Sequence, residues 1–267
     1  MSTAAPVQLA IDAHGIARVT LDRADKHNAF DAETVARLRE VFVGLARNAS
    51  ARVVVLQGAG PTFCAGADLD WMRKMAALDS SANFADARAL TEMLAALDRL
   101  PKPTIARVQG PAYGGGVGLI ACCDIAIGVT TARFALTEVR LGVVPAAISP
   151  YVIAAIGTRL ARRYLLTAET LSAAVALEAR LLHEVCEPAK LDEAVSEQIE
   201  LLLKAGPEAL RECKELIREV HAARGTNDEL RASTAHRLAR LRMSEEGREG
   251  MNAFLEKRPP SWSKKDG

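Results

Sequence analysis

The sequence predicts an α/β fold whose second part turns wholly helical. Three observations carry that prediction. Up to about residue 136, short β-branched runs alternate with apolar residues at helical spacing. From Ser149 onward strand signals nearly vanish, and long Ala-, Leu-, Arg- and Glu-rich stretches take over. Between the two lies Gly114-Gly115-Gly116, a cluster that neither a strand nor a helix interior selects, because each glycine there costs roughly 0.5–1 kcal/mol against alanine. The expected division is a core over residues 1–200 and a helical region over 201–267.

The elements follow in order. Residues 7–11 and 16–21 flank Asp12-Ala13-His14-Gly15 and read as a β-hairpin closed by glycine, which makes His14 a turn residue. Asp31 precedes Val35, Leu38, Val41, Phe42 and Leu45 at helical spacing and is expected to cap that helix. Residues 52–57 form a buried strand, ended by Gly58-Ala59-Gly60-Pro61. The small residues of the next loop, 63–68, permit close approach of another backbone. Residues 69–75 read as helical. Asp79, Ser80, Ser81 and Asn83 mark an exposed, mobile loop, and the wider segment 71–84 is expected to wall a pocket. A helix over 85–100 stops at Pro101 and Pro103, and 104–108 is a strand leading into the glycines. Residues 117–123 suit a short buried helix, and 123–129 and 133–136 supply further strands. Helices are expected over 150–156, 160–166, 168–176, 191–204, 207–220, 227–241 and 244–255, with no internal repeat or low-complexity linker.

Composition excludes several classes. With 49% apolar and 25% charged residues over 267 positions, the chain suits a globular core. A net charge of +1 argues against nucleic acid as a partner, which wants a basic face. No window approaches roughly 18 apolar residues, so no membrane span is expected. The N-terminus carries no secretory pattern. The five cysteines (Cys64, Cys122, Cys123, Cys186 and Cys213) form no CxxC pair and read as reduced thiols of a cytoplasmic protein. The histidines have no metal-ligand spacing, and no serine nucleophile elbow occurs.

Chemistry is concentrated in residues 110–142. If residues 117–123 are helical, the N–H groups near Gly115 and Gly116 stand unpaired at a helix N-terminus, where the dipole favours negative charge. A phosphate or a reaction oxyanion suits such a place, and a tight turn with close packing is the plain alternative for the glycines. A dinucleotide loop is disfavoured because the GxGxxG spacing is missing. Glu138 is a lone carboxylate among Phe134, Ala135, Leu136, Val139 and Leu141, the setting of a proton carrier, although a solvated loop acid is the plain alternative. Asp124 is expected to cap or pair structurally. Strand alternation would put Arg140 on the side of Glu138, where it or Arg133 would pair with that acid or grip an acyl carboxylate.

With FCAGAD (63–68), GPAYGGG (110–116) and FALTEVRLG (134–142) in this order, the chain resembles the crotonase family, the enoyl-CoA hydratases and isomerases. LDRADKHNAF (21–30) and GMNAFLEKR (250–258) look like that family's early and C-terminal motifs, so the resemblance covers essentially the whole chain. Residues 136–157 look especially similar to hydratases of the methylglutaconyl-CoA type. The resemblance implies a crotonase-like spiral of ββα units with a helical C-terminal trimerisation region, assembled as a homotrimer or dimer of trimers.

Residue by residue, it implies an oxyanion hole made by the backbone N–H groups of Ala67 and Gly115, with Glu138 as the second of the family's two catalytic glutamates. The first falls at Gly118, a departure from the pattern. Coenzyme A contacts are implied for Lys26, His27, Asn28, Ala65, Ala67, Asp68 and Leu69. Phe254 and Lys257 match positions that reach a neighbouring subunit's coenzyme A. No metal and no resident cofactor are implied, because the substrate itself arrives as an acyl-CoA thioester. The expected activity is hydration of an enoyl-CoA, with a methylglutaconyl-like branched substrate among the candidates. Δ3,Δ2-enoyl-CoA isomerisation, which needs one carboxylate, is the rival. A non-catalytic acyl-CoA-binding relative is the alternative of another class.

Overall fold

The computed structural model describes residues 5–223 and 225–263. Residues 1–4, the start of the segment read as lacking a secretory signal, and 264–267, the end of the expected helical region, lie outside the described residues. By internal contacts the chain divides into two units, 1–100 with 104–196 and 197–267 with 101–103.

The first unit opens with the expected hairpin, β1 (Val7–Ile11) and β2 (Ile16–Leu21), paired antiparallel. Its turn is held by Asp12 Oδ1, which accepts the N–H groups of His14 and Ile16 at 2.9 and 3.0 Å. In α1 (Ala32–Arg47), Asp31 caps the first turn by accepting the Thr34 N–H at 2.8 Å, and Val35, Leu38, Val41, Phe42 and Leu45 are buried. Then come β3 (Val53–Gly58), α2 (Leu69–Ala76), α3 (Ser80–Asp98), β4 (Thr104–Val108), β5 (Ala112–Tyr113), α4 (Gly115–Cys122), β6 (Ile125–Val129) and β7 (Arg133–Ala135). After them run α5 (Ser149–Thr167), β8 (Leu171–Ser172), α6 (Ala173–Glu178), β9 (Glu184–Cys186) and the start of α7 (Leu191–Leu203). Six strands form one sheet in the order β1-β2-β3-β4-β6-β9, parallel from β2 onward. A second sheet, β5-β7-β8, is three-stranded. Helices α1, α3, α4 and α5 pack in succession, and Phe30, Phe42, Phe63, Phe134, Met93 and Leu94 are among the largest fully buried side chains.

Several expectations are corrected. The loop expected around Asp79–Asn83 is the start of α3: Asp79 accepts the Ala82 N–H at 2.8 Å, so polar residues read as a loop are a helix cap. The segment 71–84 is therefore mostly helical, and Trp71 is buried with its indole N–H donating to Asp86 Oδ1 at 3.2 Å. The helix expected over 168–176 starts only at Ala173, after β8, and β9 was not anticipated. Strands of two and three residues are too short to leave a period in the sequence. The expected break between 156 and 160 is present, since Gly157 interrupts α5 with φ 73° and ψ 157°.

The second unit holds the remainder of α7 with α8 (Pro207–Ala223), α9 (Asp228–Met243) and α10 (Glu245–Leu255). Its helix ends are capped by side chains. Glu246 accepts the N–H groups of Glu208 and Ala209 at 2.8 Å each, and Asn227 accepts that of Leu230 at 2.7 Å. Helices α8 and α9 are joined by Arg240–Glu212 (2.6 Å) and Arg237–Glu219 (2.7 Å). Among the described residues no helix is long and apolar enough to cross a membrane, and no group of His, Cys, Asp and Glu is arranged to hold a metal.

Candidate active site

Three loops of the first unit, following β2, β3 and β4, converge, and each is fixed by backbone bonds before any side chain takes part. The loop after β2 turns at His27 and Asn28, which sit at φ 52° and 57°. Asn28 locks it: buried, it accepts the Arg23 N–H at 3.0 Å and donates to the carbonyls of Ala59 and Thr62 at 2.8 and 2.7 Å. The N–H groups of Lys26, His27 and Asn28 all bond to carbonyls of Arg23 or Ala24. Its N–H groups are therefore taken, and the carbonyls of Lys26 and His27 already accept from Ala29 and Ala65 at 3.0 Å each.

The loop after β3 carries the first predicted donor. Phe30 donates its N–H to the Gly66 carbonyl and accepts that of Asp68, both at 2.7 Å. Because a trans peptide points its N–H opposite to its C=O, seating the Gly66 carbonyl on Phe30 turns the Ala67 N–H the other way. Ala67 is exposed, and its N–H has no acceptor among the backbone bonds of the described residues. Gly66 sits at φ 87°, and a Cβ there would lie 3.0 Å from the Tyr113 carbonyl, so only glycine allows the loop after β4 this close.

That loop carries the second donor. The Gly114 carbonyl accepts from Val117 (2.9 Å) and Gly118 (3.2 Å) as the first acceptor of α4. The same trans geometry aims the Gly115 N–H out of the helix N-terminus, with no backbone acceptor among the described residues. The two loops are tied by the Tyr113 N–H to the Cys64 carbonyl at 2.9 Å. Burial pushes the Cys64 thiol up to about 12, so it is a packing group and not a nucleophile.

Glu138 opens a 3-10 turn, Glu138–Leu141, rather than continuing a strand. Its Oε1 lies 3.0 Å from where a Cβ on Gly114 would stand, so the acid reaches the peptide that separates the two donor loops. Its Oε2 is buried with no hydrogen-bond partner among the described residues. Burial raises its pKa above the ordinary 4.5, against a smaller lowering by its own backbone N–H. Gly66, just before Ala67, and the Glu138 carboxylate thus both lie close to Gly114, which precedes Gly115. Strand alternation fails in the turn, and Arg140 donates to the Ala168 carbonyl at 2.8 Å while Arg133 donates to that of Ala132, also at 2.8 Å. Asp124 is structural, accepting from the N–H and hydroxyl of Thr104 at 2.8 and 2.9 Å.

The remaining predicted residues divide by role. Asp68 caps α2, accepting from Asp70 and Trp71, and pairs with Arg23 at 3.1 Å. Burial works against its charge, but those amides and the guanidinium outweigh it and hold the carboxyl below its usual range. Lys26 is exposed, 3.6 Å from Asp70, while Ala65 is half-buried and Leu69 exposed. Phe254, 83% exposed, lies on α10 of the helical unit, and Lys257 follows it at φ 53°. Gly118 is buried within α4, and a Cβ there would lie 2.8 Å from Ile148 Cβ and nearer still to its Cγ2. Ile148 thus takes the room of any side chain at 118. Neither it nor Phe30 was singled out from the sequence, since nothing local marks a residue that fills another's space.

Comparison with known proteins agrees with this geometry. Residues 12–265 match the model of the family described as enoyl-CoA hydratase/isomerase. The solved structure of an enoyl-CoA hydratase from Shewanella pealeana superposes with a TM-score of 0.93 at 44% identity, covering 96% of each chain. Pseudomonas aeruginosa AtuE superposes at 0.92 with 33% identity over 97% of this chain and 100% of its own. The 2,3-dehydroadipyl-CoA hydratase of Escherichia coli is 32% identical over 91% of this chain and 93% of its own. The (E)-benzylidenesuccinyl-CoA hydratase of Thauera aromatica is 31% identical over 96% and 98%.

Proposed function

The chain belongs to the enoyl-CoA hydratase/isomerase family, the crotonases, and from that premise we propose that it is an enoyl-CoA hydratase acting through a single carboxylate. The observation that carries this reading is the Glu138 carboxylate, one oxygen of it buried without a partner among the described residues, lying against Gly114 beside the loops that bear the Ala67 and Gly115 N–H groups. The thioester oxygen sits between the N–H groups of Ala67 and Gly115. Glu138 takes a proton from water as the water oxygen bonds to the β-carbon, and the alkene pair moves so that charge gathers on the thioester oxygen. Protonated Glu138 then returns the proton to the α-carbon and the carbonyl re-forms, for a net addition of H–OH. One preorganised donor is worth about 10²–10³ in rate, and the proton carrier about 10²–10⁴.

Coenzyme A is held along the first two loops, with the adenine amino group donating to carbonyls near Lys26, His27 and Asn28, and the pantetheine chain running past Ala65, Ala67, Asp68 and Leu69. Phe254 and Lys257 serve a neighbouring subunit's coenzyme A in a homotrimer or dimer of trimers. No resident cofactor is needed, and the setting is cytoplasmic. For the acyl group, a methylglutaconyl-like branched chain is supported by residues 136–157.

A second reading has its own observation. Ile148 closes the space beside Gly118, so position 118 brings no second acid, and Glu138 alone suffices to carry a proton between α- and γ-carbons in a Δ3,Δ2-isomerase. Incubation with crotonyl-, methylglutaconyl- and 3-enoyl-CoA and analysis of products separates the two. A 3-hydroxyacyl product supports hydration, and double-bond migration without one rejects it.

A further inference from the structure

We infer that Phe30 is a positioning residue that sets the separation of the two thioester-oxygen donors. The inference rests on the roles given above to Ala67 and Gly115. Phe30 is 1% exposed and lies immediately before Asp31, the cap of α1. Its main chain bonds to both sides of Ala67, through the Gly66 carbonyl and the Asp68 N–H at 2.7 Å each, and so fixes the peptide planes flanking the first donor. Its ring serves the second donor. A Cβ on Gly115 would lie 2.6 Å from Phe30 Cε2, 3.0 Å from Cδ2 and 3.8 Å from Cζ, so the ring is seated against the Gly115 α-carbon. One residue therefore holds the backbone of one donor and buttresses the other.

The residue's own anchoring is stiff. Asp31 and Asp68, on either side of this bridge, both pair with Arg23 at 3.0 and 3.1 Å. An aromatic ring has two torsions and a fixed thickness, so it transmits that anchoring to Gly115 without slack. A thinner or more flexible side chain leaves a gap that α4 closes by moving, since interiors tolerate little empty volume. Such a shift changes the distance between the two N–H groups. The loop of residues 26–28 keeps its own ties, since the Asn28 side chain donates to the carbonyls of Ala59 and Thr62.

The test uses Phe30→Ala, Phe30→Leu and Phe30→Met in the full chain, with Glu138→Gln as reference. kcat and KM are measured on whichever ester the wild type turns over. The fraction of bound acetoacetyl-CoA present as enolate, read by its ultraviolet absorbance at fixed pH, reports the oxyanion hole without turnover. Phe30→Ala is expected to lower kcat about 10–100-fold, since a displacement near 1 Å can cost about 10²-fold, with KM within about threefold and the enolate fraction reduced. Leucine and methionine recover part of both losses. Glu138→Gln loses turnover yet keeps enolate stabilisation. If Phe30→Ala fails to fold, the Leu and Met variants, which retain bulk, carry the test. Wild-type kcat and enolate fraction in the folded variants, or a change in KM alone, overturn the role of Phe30. A wild type that turns over none of the three esters and does not perturb acetoacetyl-CoA overturns the oxyanion-hole reading, and this inference with it.

Discussion

Two glutamates, one in each unit, have been taken out of water in opposite ways. Glu138 has a buried oxygen with no partner among the described residues, and burial raises its pKa. Glu212 is 8% exposed; burial there also opposes the charge, but Arg240, Arg237 and Arg211 outweigh it and hold the carboxyl below its usual range. The difference teaches where each unit keeps its polar free energy. The helical unit uses its buried acid to join α8 to α9 and leaves it nothing to do chemically. The α/β unit leaves Glu138 Oε2 buried without a hydrogen-bond partner among the described residues, which costs stability and keeps that oxygen ready for a ligand.

Breaking the comparison at the acids gives the largest effect. Glu138→Gln is expected to lose about 10²–10⁴ in turnover while binding acyl-CoA and melting no lower than wild type. Glu212→Gln should leave kcat within about twofold and lower stability by about 1–3 kcal/mol, because it strands charged partners. Steady-state kinetics and urea unfolding of both variants decide it, and equal losses of activity would erase the distinction. The pH dependences run in opposite senses. Glu138, with its pKa raised by folding, contributes stability that is present below the ordinary 4.5 and lost as pH rises through the raised value. Glu212, with its pKa lowered, contributes stability present above 4.5 and lost as pH falls through the folded value. Because catalysis needs ionised Glu138, the acid limb of kcat/KM should lie above an ordinary carboxylate's, and an acid limb at 4.5 or below would contradict it.

The next effect sharpens the backbone side. Gly115→Ala drives a Cβ to 2.6 Å from the Phe30 ring, so about 10²–10³ in kcat should go with the displaced donor. Gly157→Ala meets nothing within 4 Å and lies in α5, outside the donor loops and the Glu138 turn, so despite its φ of 73° it should cost stability more than turnover. If both alanines leave kcat alike, the spacing of the donors does not limit the reaction.

What could be read from the sequence was what is local. Asp31 as a cap, the apolar period of α1, the hairpin glycine and the glycines before α4 announce themselves within a few positions. So does Glu138, by its apolar neighbours. What escaped depends on partners far along the chain. Ile148 filling the space of residue 118, and the Phe30 ring under Gly115, leave no local mark. Asp79 was misread because caps and loops draw on the same residues. Arg140 was misplaced because alternation presumes a strand, and Glu138–Leu141 is a 3-10 turn.

The smallest effect concerns a charge that neither unit's logic governs. Lys26 and its neighbour Asp70 are both exposed and 3.6 Å apart, a pair worth about 0–1 kcal/mol, so Lys26→Ala should not change the melting temperature. If the ammonium meets a coenzyme A phosphate instead, its loss appears only in KM, by about twofold to fivefold, the span that an exposed ion pair allows. Added salt should then raise the wild-type KM and move the variant's less, because exposed charges are screened within about 10 Å at 0.1 M. Equal KM values and equal salt slopes would remove Lys26 from the coenzyme A site. They would leave Glu138, Ala67 and Gly115 as they stand, since none of those roles rests on the Lys26 charge.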